Sequence, residues 1–449
     1  MLELGQYQIT GSTAREISAS AEAVIREGGL GAGDLLPTMR SLAESLGISP
    51  ATVNSAYRIL RQRGLVVAEG RRGTRVAARP ALRAPVRPSQ QPSADIERWR
   101  DLAIGLPDPA LLPALPAAVA QIDVEARLRF ATLDGPDREL LAVARGSFER
   151  DGIATHAIAV VAGALDGIER ILHAHLRAGD RVVIEDPAYP SIRDIVRALG
   201  LVAVPVAVDE RGLAPGALRA AMKQGVQALV VVPRAQNPLG SALDAERVGE
   251  LRGVLDKSPG LLLVEDDHAG AVSGAPFSTL TDPDRSRWAV IRSVSKVLHP
   301  DLRLAVVAGD EATIARVEGR QALGPRWVSH LLQAIAAEML GAPRFGPLCA
   351  RAAHAYAERR GALIAALGDR GVAAYGRSGL NVWVPVREEA PVVGALLDAG
   401  WLVLAGESFR IKTGPGVRIT ISTLRDGEAE ELARVIARVE HAGRPRRAY

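Results

Sequence analysis

From Leu102 onward, short apolar segments of strand length alternate with amphipathic helices over most of the chain. Such alternation is typical of βαβ units, and it predicts an α/β fold with a mostly parallel, doubly wound sheet. The candidate strands are Ala157–Val161, Arg181–Glu185, Ala228–Val232, Leu261–Glu265 and Ala289–Arg292, with helices such as Leu165–Leu176 and Ala245–Leu255 between them. Because the chain has 449 residues, it has room for this sheet and at least one further domain.

The first 78 residues follow a different order. Apolar periodicity predicts helices over 13–27, 39–46 and 50–63, and Ser49 is the expected N-cap of the third. Two short strands are predicted in 65–78, around the turn 70–73. This order is that of a winged helix-turn-helix. Residues 79–101, which are rich in proline, are predicted to be a linker, and residues 102–449 form the second domain.

The positive charge of the chain is concentrated at its N-terminus. The first hundred residues carry a net charge of +5 and the whole chain +4, so the other 349 residues carry −1. A basic patch on a near-neutral body favours an anionic partner such as double-stranded DNA. A solvated face of an arginine-rich protein would have the same composition.

The rest of the composition excludes several classes of protein. The single cysteine rules out a disulfide framework or a zinc finger and fits a reducing compartment. No apolar run approaches the length of a membrane span, and the N-terminus lacks the pattern of a signal peptide. We therefore expect a soluble, cytoplasmic protein with no metal site.

A helix that enters the major groove needs short polar side chains near its start and basic residues for phosphates. The candidates for contact with DNA are Arg40, Thr52, Asn54 and Arg58 on the helices, and Arg71, Arg72 and Arg75 on the wing. The stretch LPTMRSLAESLGISPATVNSAYRILRQRGLV, with GRRGTRV after it, resembles the winged helix of GntR-family regulators. Pro50 stands where this family often has a basic residue, which favours Thr52 and Arg40 for base contact. A helical module for protein contacts is the alternative.

The segment SVSKVLHPDLRL contains Lys296, one of only four lysines. A lysine after small hydroxyl residues at a strand end suits an aldehyde-phosphate, because its amine can form a Schiff base. Ser293, Ser295 and Arg303 would then hold phosphate oxygens. A surface lysine is the alternative interpretation.

Four other segments indicate the same ligand. Gly163 and Ala164 begin a helix, where free amides favour a phosphate. Tyr189 follows a strand and offers an aromatic face for a pyridine ring. Asn237, in a turn, is a donor for a ring hydroxyl, and Asp266, at the end of a buried strand, suits a protonated ring nitrogen. Each residue taken alone also has a structural explanation, as a turn former or a core aromatic.

In this order, the segments resemble fold-type I, class I/II aminotransferases over about residues 102–440. The resemblance implies pyridoxal 5′-phosphate as the cofactor, Lys296 as its covalent attachment and the other roles given above. The strand VRITIS resembles the one that presents a carboxylate-binding arginine, here Arg418. The resemblance to the aminotransferases also implies a homodimer, because cofactor sites in this fold lie at a subunit interface.

Two positions depart from the aminotransferase pattern. His268 stands where a tyrosine usually bonds the ring hydroxyl, and the charge of a histidine ordinarily varies near neutral pH. Residues 130–140 (FATLDGPDREL) lack the tyrosine that aminotransferases bring to the partner's phosphate site.

A GntR-type winged helix joined to an aminotransferase-like domain resembles the MocR/GabR type of transcription regulator. The EDDHAG segment and the short linker favour its PtsJ-like members, which are linked to vitamin B6 metabolism. The implied function is regulation at promoter DNA, with pyridoxal phosphate or an amino compound as effector. The alternatives are an active aminotransferase with a DNA-binding head and a DNA-binding protein with a scaffold that binds no cofactor.

Overall fold

The computed structural model describes residues 8–442 apart from 27–28, 32, 63–64, 69–72, 77–98, 126–134 and 283–284. The chain divides into two compact units, one formed mainly by residues before 97 and the other mainly by residues from 97 onward. The predicted linker lies largely outside the described residues, and its last two residues, Arg100 and Asp101, form a short strand of the larger unit. The boundaries predicted at residues 78 and 101 stay predictions.

The smaller unit contains three helices and a two-stranded antiparallel ribbon. They are α1 (Ala14–Arg26), α2 (Met39–Leu46), α3 (Pro50–Gln62), β1 (Val66–Ala68) and β2 (Thr74–Val76). Gly47 ends α2 in the left-handed conformation, with φ of 66°. The Ser49 hydroxyl accepts the N–H of Thr52 at 3.1 Å, which confirms the predicted N-cap of α3. Ile17, Val53 and Leu60 are fully buried in the core of this unit.

The described strands of the larger unit are β3 (Arg100–Asp101), β4 (Ala157–Val161), β5 (Arg181–Asp186), β6 (Val202–Asp209), β7 (Gly212–Leu213), β8 (Ala228–Val231), β9 (Leu262–Asp267), β10 (Trp288–Ser293), β11 (Ala305–Gly309), β12 (Asn381–Pro385), β13 (Trp401–Leu402), β14 (Leu404–Ala405) and β15 (Gly416–Thr420). Its described α-helices are α4 (Leu115–Val119), α5 (Arg138–Arg150), α6 (Ala164–His175), α7 (Pro190–Ala198), α8 (Pro215–Met222), α9 (Ala245–Leu255), α10 (Glu311–Ala322), α11 (His330–Gly341), α12 (Phe345–Gly368), α13 (Glu389–Asp398) and α14 (Glu428–Ala442).

Eight of these strands form one sheet in the order β4-β11-β10-β9-β8-β5-β6-β7. The four central strands, β10, β9, β8 and β5, are parallel. Strand β11 runs antiparallel to both of its neighbours, β10 and β4, so these two neighbours run in the same direction. The predicted α/β fold is confirmed, and each predicted strand lies within two residues of its observed bounds.

A smaller three-stranded sheet in the order β12-β15-β14 is covered by α12 and α13, and α14 packs on both of these helices. Its buried Trp383, on β12, packs directly on Gly406 and Gly416. A Cβ atom at either glycine would overlap the indole ring, so the tryptophan requires glycine at both positions. This sheet carries Arg418 on β15, directly opposite Trp383.

Candidate functional site

Most of the predicted cofactor residues lie at one edge of the large sheet. Strands β4, β5, β8, β9 and β10 run in the same direction and end at this edge, and the antiparallel β11 begins there. The residues at these strand ends are Gly163 and Ala164, Tyr189, Asn237, Asp266 and His268, Ser293, Ser295 and Lys296, and Arg303. Ligands of open α/β sheets bind at this edge, so the topology places these predicted residues along one crevice.

The paired acids at the end of β9 have opposite surroundings. Asp267 is fully buried, and Arg234 donates to both of its carboxylate oxygens at 2.8 Å, while Arg292 adds a third bond at 3.0 Å. These cations hold the pKa of Asp267 below its usual range. Asp266 is also buried, but its Oδ1 atom has no hydrogen-bond partner among the described residues. Burial and the adjacent charge of Asp267 raise the pKa of Asp266 to about 7.

The Lys296 side chain lies near His268 and the segment that precedes α4. Its Nζ atom donates a hydrogen bond to the carbonyl oxygen of Gly105. Burial, together with the positive charge of Lys296, lowers the pKa of His268 to about 4. The expectation that the charge of this histidine varies near neutral pH is therefore corrected, since the imidazole stays neutral there.

Arg418 reaches the same crevice from β15 of the small sheet. The guanidinium is almost fully buried, lies 5.1 Å from the centre of the Phe409 ring and donates to the carbonyl oxygen of Ala103. A second nitrogen of the group lies 3.4 Å from the Oδ1 atom of Asn237. The structure thus brings together two predicted residues that are 181 positions apart in the chain.

The start of α6 and the turn before β11 lie side by side. Gly163 has φ of 102°, and an Arg303 guanidinium nitrogen lies 3.2 Å from the place where a Cβ atom of this glycine would stand. Any larger residue would crowd the arginine, so glycine keeps this space open. The buried Ser293 hydroxyl accepts the N–H of Ser295 at 3.2 Å, and Ala164 is the first residue of α6. The amides of a helix start and an arginine suit an anion.

The buried residues Glu185 and Gln236 were missed by the sequence analysis. Both lie at the same edge, in β5 and in the turn after β8, and the Gln236 amide donates to the Glu185 carboxyl group at 3.2 Å. A charged residue inside the apolar run of β5 was the available signal. Tyr189 follows β5 and is 36% exposed, so its ring is accessible.

The candidate DNA-contacting side chains of the smaller unit divide into two groups. Arg40, Asn54 and Arg58 are exposed on α2 and α3. The Thr52 hydroxyl is 2.9 Å from that of Ser49, and Arg75 donates to the Gly33 carbonyl at 2.8 Å, so both also have contacts within the unit. The predicted wing residues Arg71 and Arg72 lie outside the described residues.

None of the helices in the described part of the chain is long and apolar enough to cross a membrane. Within the same residues, no group of three or more His, Cys, Asp or Glu side chains could hold a metal ion.

Two family models match the chain, one in each unit. The model "Bacterial regulatory proteins, gntR family" matches residues 13–76, and the model "Aminotransferase class I and II" matches residues 117–436. The second match covers more than half of the chain.

Several curated relatives are named as transcriptional regulators. The chain is 38% identical over 429 residues to the vitamin B6 salvage pathway transcriptional repressor PtsJ of Salmonella typhimurium, covering 95% of this chain and 98% of the relative. It is 29% identical to the HTH-type transcriptional regulator TauR of Rhodobacter capsulatus, with 78% of each chain covered. It is 28% identical to the pyridoxine biosynthesis transcriptional regulator PdxR of Corynebacterium glutamicum, with 64% of each chain covered.

Solved structures share the fold of the larger unit. The kynurenine aminotransferase of Pyrococcus horikoshii aligns with a TM-score of 0.71 at 20% identity, over 78% of this chain and 92% of that one. The α-aminoadipate aminotransferase LysN of Thermus thermophilus aligns with a TM-score of 0.68 at 23% identity, over 77% and 93% of the chains. The family models and the PtsJ relative lead to one conclusion: the chain belongs to the aminotransferase class I and II family and, within it, to the MocR-type regulators that carry a GntR-type helix-turn-helix.

Proposed function

We propose that the protein is a transcription regulator that binds promoter DNA through its winged helix and pyridoxal 5′-phosphate through its larger unit. The observation that carries the cofactor proposal is the buried Asp266 carboxyl group, whose Oδ1 atom has no partner among the described residues. A buried acid in this state is unfavourable unless a cation or a donor meets it. The protonated ring nitrogen of pyridoxal phosphate is such a group.

The other residues at this sheet edge fit the rest of the cofactor. Gly163 and Ala164, at the start of α6, would donate backbone N–H groups to the phosphate, and Arg303, beside Gly163, would neutralise its charge. Ser293 and Ser295 would complete the phosphate site. Tyr189, which remains partly exposed, would stack on the ring.

Lys296, Asn237 and His268 would surround the reactive side of the ring. When bound, the cofactor supplies an aldehyde for covalent attachment and an electron-withdrawing ring. The Nζ atom of Lys296, which donates to the Gly105 carbonyl, would provide the amine for this attachment. Because His268 is neutral at physiological pH, it can donate to the ring hydroxyl without adding a charge.

Arg418 is the proposed receptor for the carboxylate of an amino compound. A planar guanidinium binds a carboxylate through two parallel hydrogen bonds, and the carboxylate would replace the Ala103 carbonyl as its partner. The name of the PtsJ relative favours pyridoxal phosphate itself as the primary effector. Arg418 then allows an amino compound to modify the response.

We further propose that the protein works as a homodimer in the cytoplasm. Aminotransferases of this fold place their cofactor sites at a subunit interface. The strongly exposed Leu323 and Trp327, which are 81% and 40% accessible, fit a surface that a second subunit would cover.

The test of the cofactor proposal is the absorbance spectrum of the protein supplied with pyridoxal phosphate. We expect a visible band from the lysine-bound cofactor in the wild type and its loss in Lys296→Ala. Lys257→Ala, which removes an exposed lysine elsewhere, is the matched control and should keep the band. A wild-type protein without such a band, or a band that Lys296→Ala keeps, would contradict the proposal.

An activity assay separates the regulator from an active aminotransferase. We expect no steady production of keto acid from amino acids at ordinary enzyme rates, because the tyrosine that aminotransferases bring to the partner's phosphate is absent from residues 130–140. Sustained turnover of about 1 s⁻¹ or more would favour the enzyme.

A further inference from the structure

The Gln236 side chain links two turns that carry predicted cofactor residues. It is completely buried, and its amide nitrogen donates to the Pro187 carbonyl at 2.7 Å and to the Glu185 carboxyl group at 3.2 Å. Its amide oxygen accepts the N–H of Leu239 at 3.0 Å. Both donor hydrogens and the acceptor of one amide are therefore used within the crevice.

These bonds fix the separation of the two turns. Pro187 lies two residues before Tyr189, and Gln236 immediately precedes Asn237. Tyr189 would stack on the pyridine ring while Asn237 would meet the ring hydroxyl, so both must keep a fixed distance from the same group. A rotation of the Gln236 side chain would free one turn from the other.

Glu185 is the more unusual member of the pair, because its carboxyl group is buried. It is 3% exposed and follows the apolar residues Val182, Val183 and Ile184 of β5. Burial raises its pKa to about 8, so the group is a neutral acid at physiological pH. Its Oε2 atom meets Gln236, and its Oε1 atom has no hydrogen-bond partner among the described residues.

Strand stability does not explain the presence of this group. An apolar residue at the same position would avoid the desolvation that a buried carboxyl group suffers, and buried polar pairs are often no more stable than apolar replacements. The pair is therefore better explained by what it holds in place.

We propose that the Glu185–Gln236 pair is a positioning element of the cofactor site, which sets the gap between the turns of Tyr189 and Asn237. The inference rests on the proposed binding of pyridoxal phosphate. Glu185 and Gln236 act through the two turns and through the residues at their tips.

The principal experiment is a titration of the full-length protein with pyridoxal phosphate, followed by absorbance. Gln236→Ala removes the link between the turns and should weaken cofactor affinity about tenfold or more, because binding must then order two turns that the wild type already holds in place. The band of the bound cofactor should also shift, because the ring is less firmly oriented. If Gln236→Ala does not fold, Gln236→Met replaces it, since methionine fills the space without forming hydrogen bonds.

Gln227→Ala is the matched control. Gln227 joins the same two strands at their other ends, where its side chain accepts the Arg181 N–H at 2.6 Å and donates to the Gly225 carbonyl at 2.8 Å. This glutamine lies at the opposite edge of the sheet. Its loss should leave both the affinity and the band unchanged.

Substitution of Glu185 tests whether the hydrogen bond is what matters. Glu185→Gln keeps an acceptor for Gln236 and resembles the neutral acid, so its affinity should stay within about threefold of the wild type, less than the tenfold expected from a lost bond. Glu185→Leu removes one of the two acceptors of the Gln236 amide and leaves the Pro187 carbonyl, so binding should weaken more than in Glu185→Gln and less than in Gln236→Ala. The double variant Glu185→Leu/Gln236→Ala should bind no more weakly than Gln236→Ala alone, because that substitution already removes both bonds.

The outcomes separate this inference from the proposed function. A wild-type protein that binds no pyridoxal phosphate overturns the function itself. If the wild type binds and Gln236→Ala binds equally well, only the positioning role fails. Equal losses in Gln236→Ala and Gln227→Ala would also overturn it, because the effect would then be general destabilisation of the sheet.

Discussion

Asp266 and Asp267 are consecutive residues of β9, and they differ in what surrounds them. Asp267 bonds the buried Arg234 and the partly buried Arg292, while Asp266 has an oxygen without a partner among the described residues. Asp267 stabilises the fold of the cofactor-free protein, and Asp266 destabilises it. At the scale of single residues, this difference separates a structural group from a binding group.

Two neighbouring substitutions are therefore expected to change the free energy of unfolding by very different amounts. Asp267→Ala leaves the buried Arg234 guanidinium without its carboxylate, while Arg292 keeps its bond to Asp151, and should lower the free energy of unfolding by about 3–5 kcal/mol. Asp266→Ala removes an unsatisfied acid and should cost less than about 1 kcal/mol in the absence of cofactor. Urea denaturation of both variants measures the difference. Equal losses would show that the two acids have the same role.

The raised pKa of Asp266 should also be visible in how the free energy of unfolding depends on pH. Its pKa is raised to about 7 in the folded protein, against about 4 in an unfolded chain. The folded protein therefore keeps the Asp266 carboxyl group protonated up to a higher pH than the unfolded chain does. As the pH rises from about 4 to about 7, this group progressively lowers the free energy of unfolding. Asp266→Asn cannot ionise, and its stability relative to the wild type should increase over the same range. Denaturation curves without cofactor at several pH values test this, and a difference independent of pH would contradict it.

The sequence predicted that an acid at this strand end would be functional, and it favoured Asp266. What it could not show is why, because the partners of Asp267 are 33 and 25 positions away along the chain. The same limit applies to Gln236, which looks like an ordinary turn residue until Pro187 and Glu185 are placed beside it. Long-range packing decides which of two similar side chains is left without a partner.

At the scale of secondary-structure elements, β12 and β15 illustrate how glycine supports the small sheet. The Trp383 ring occupies the space above Gly416 and Gly406, and Gly416 belongs to the same strand as Arg418. A substitution at either glycine should therefore also change the position of Arg418, the proposed carboxylate receptor.

Gly416→Ala should destabilise the protein, because the new methyl group would overlap the buried indole ring. We expect a loss of at least about 2 kcal/mol, typical of an overpacked core. Gly414→Ala, two residues earlier in open space, is the control and should change stability by less than about 0.5 kcal/mol. Chemical denaturation followed by tryptophan fluorescence measures both, and similar values for the two variants would contradict this packing.

Helices α2 and α3 present Arg40 and Arg58 to solvent, in accordance with a role at DNA. Arg40→Ala should weaken binding to the protein's own promoter region by about 1–3 kcal/mol, the usual value of one good base contact. Arg434→Ala makes the same charge change on the exposed side of α14 and should leave DNA affinity unaltered. Fluorescence anisotropy at physiological salt provides the measurement, and equal affinities of Arg40→Ala and wild type would rule out this contact.

The elements themselves could be predicted well from local signals. The helices at 39–46 and 245–255 and the strand at 157–161 have the predicted bounds, because caps, glycines and apolar periodicity are all local. The antiparallel direction of β11 was not predicted, since nothing in its apolar pattern distinguishes it from a parallel strand. The reversal follows from the short connection between β10 and β11, which leaves no room for a crossover helix.

At the scale of the whole molecule, the proposal requires that the two binding activities influence each other. If pyridoxal phosphate changes the affinity for DNA by some factor, then DNA must change the affinity for pyridoxal phosphate by the same factor. The wild type should show this reciprocal change, measured by DNA titration with and without cofactor and by cofactor titration with and without DNA. Lys296→Ala should show a much smaller effect of cofactor on DNA binding. Equal DNA affinities of the wild type with and without bound cofactor would mean that the units act independently.

The two units also differ in how much of the chain each needs before it can fold. The core of the smaller unit consists of residues between Ile9 and Val76, whereas the residues of the cofactor crevice extend from Gly163 to Arg418. Protein synthesis proceeds at about 5–20 residues per second, so roughly 20–70 s separate the completion of these two parts on the ribosome. On each ribosome the core of the smaller unit is therefore complete well before the cofactor crevice exists. During that interval a nascent chain could bind DNA without responding to the cofactor.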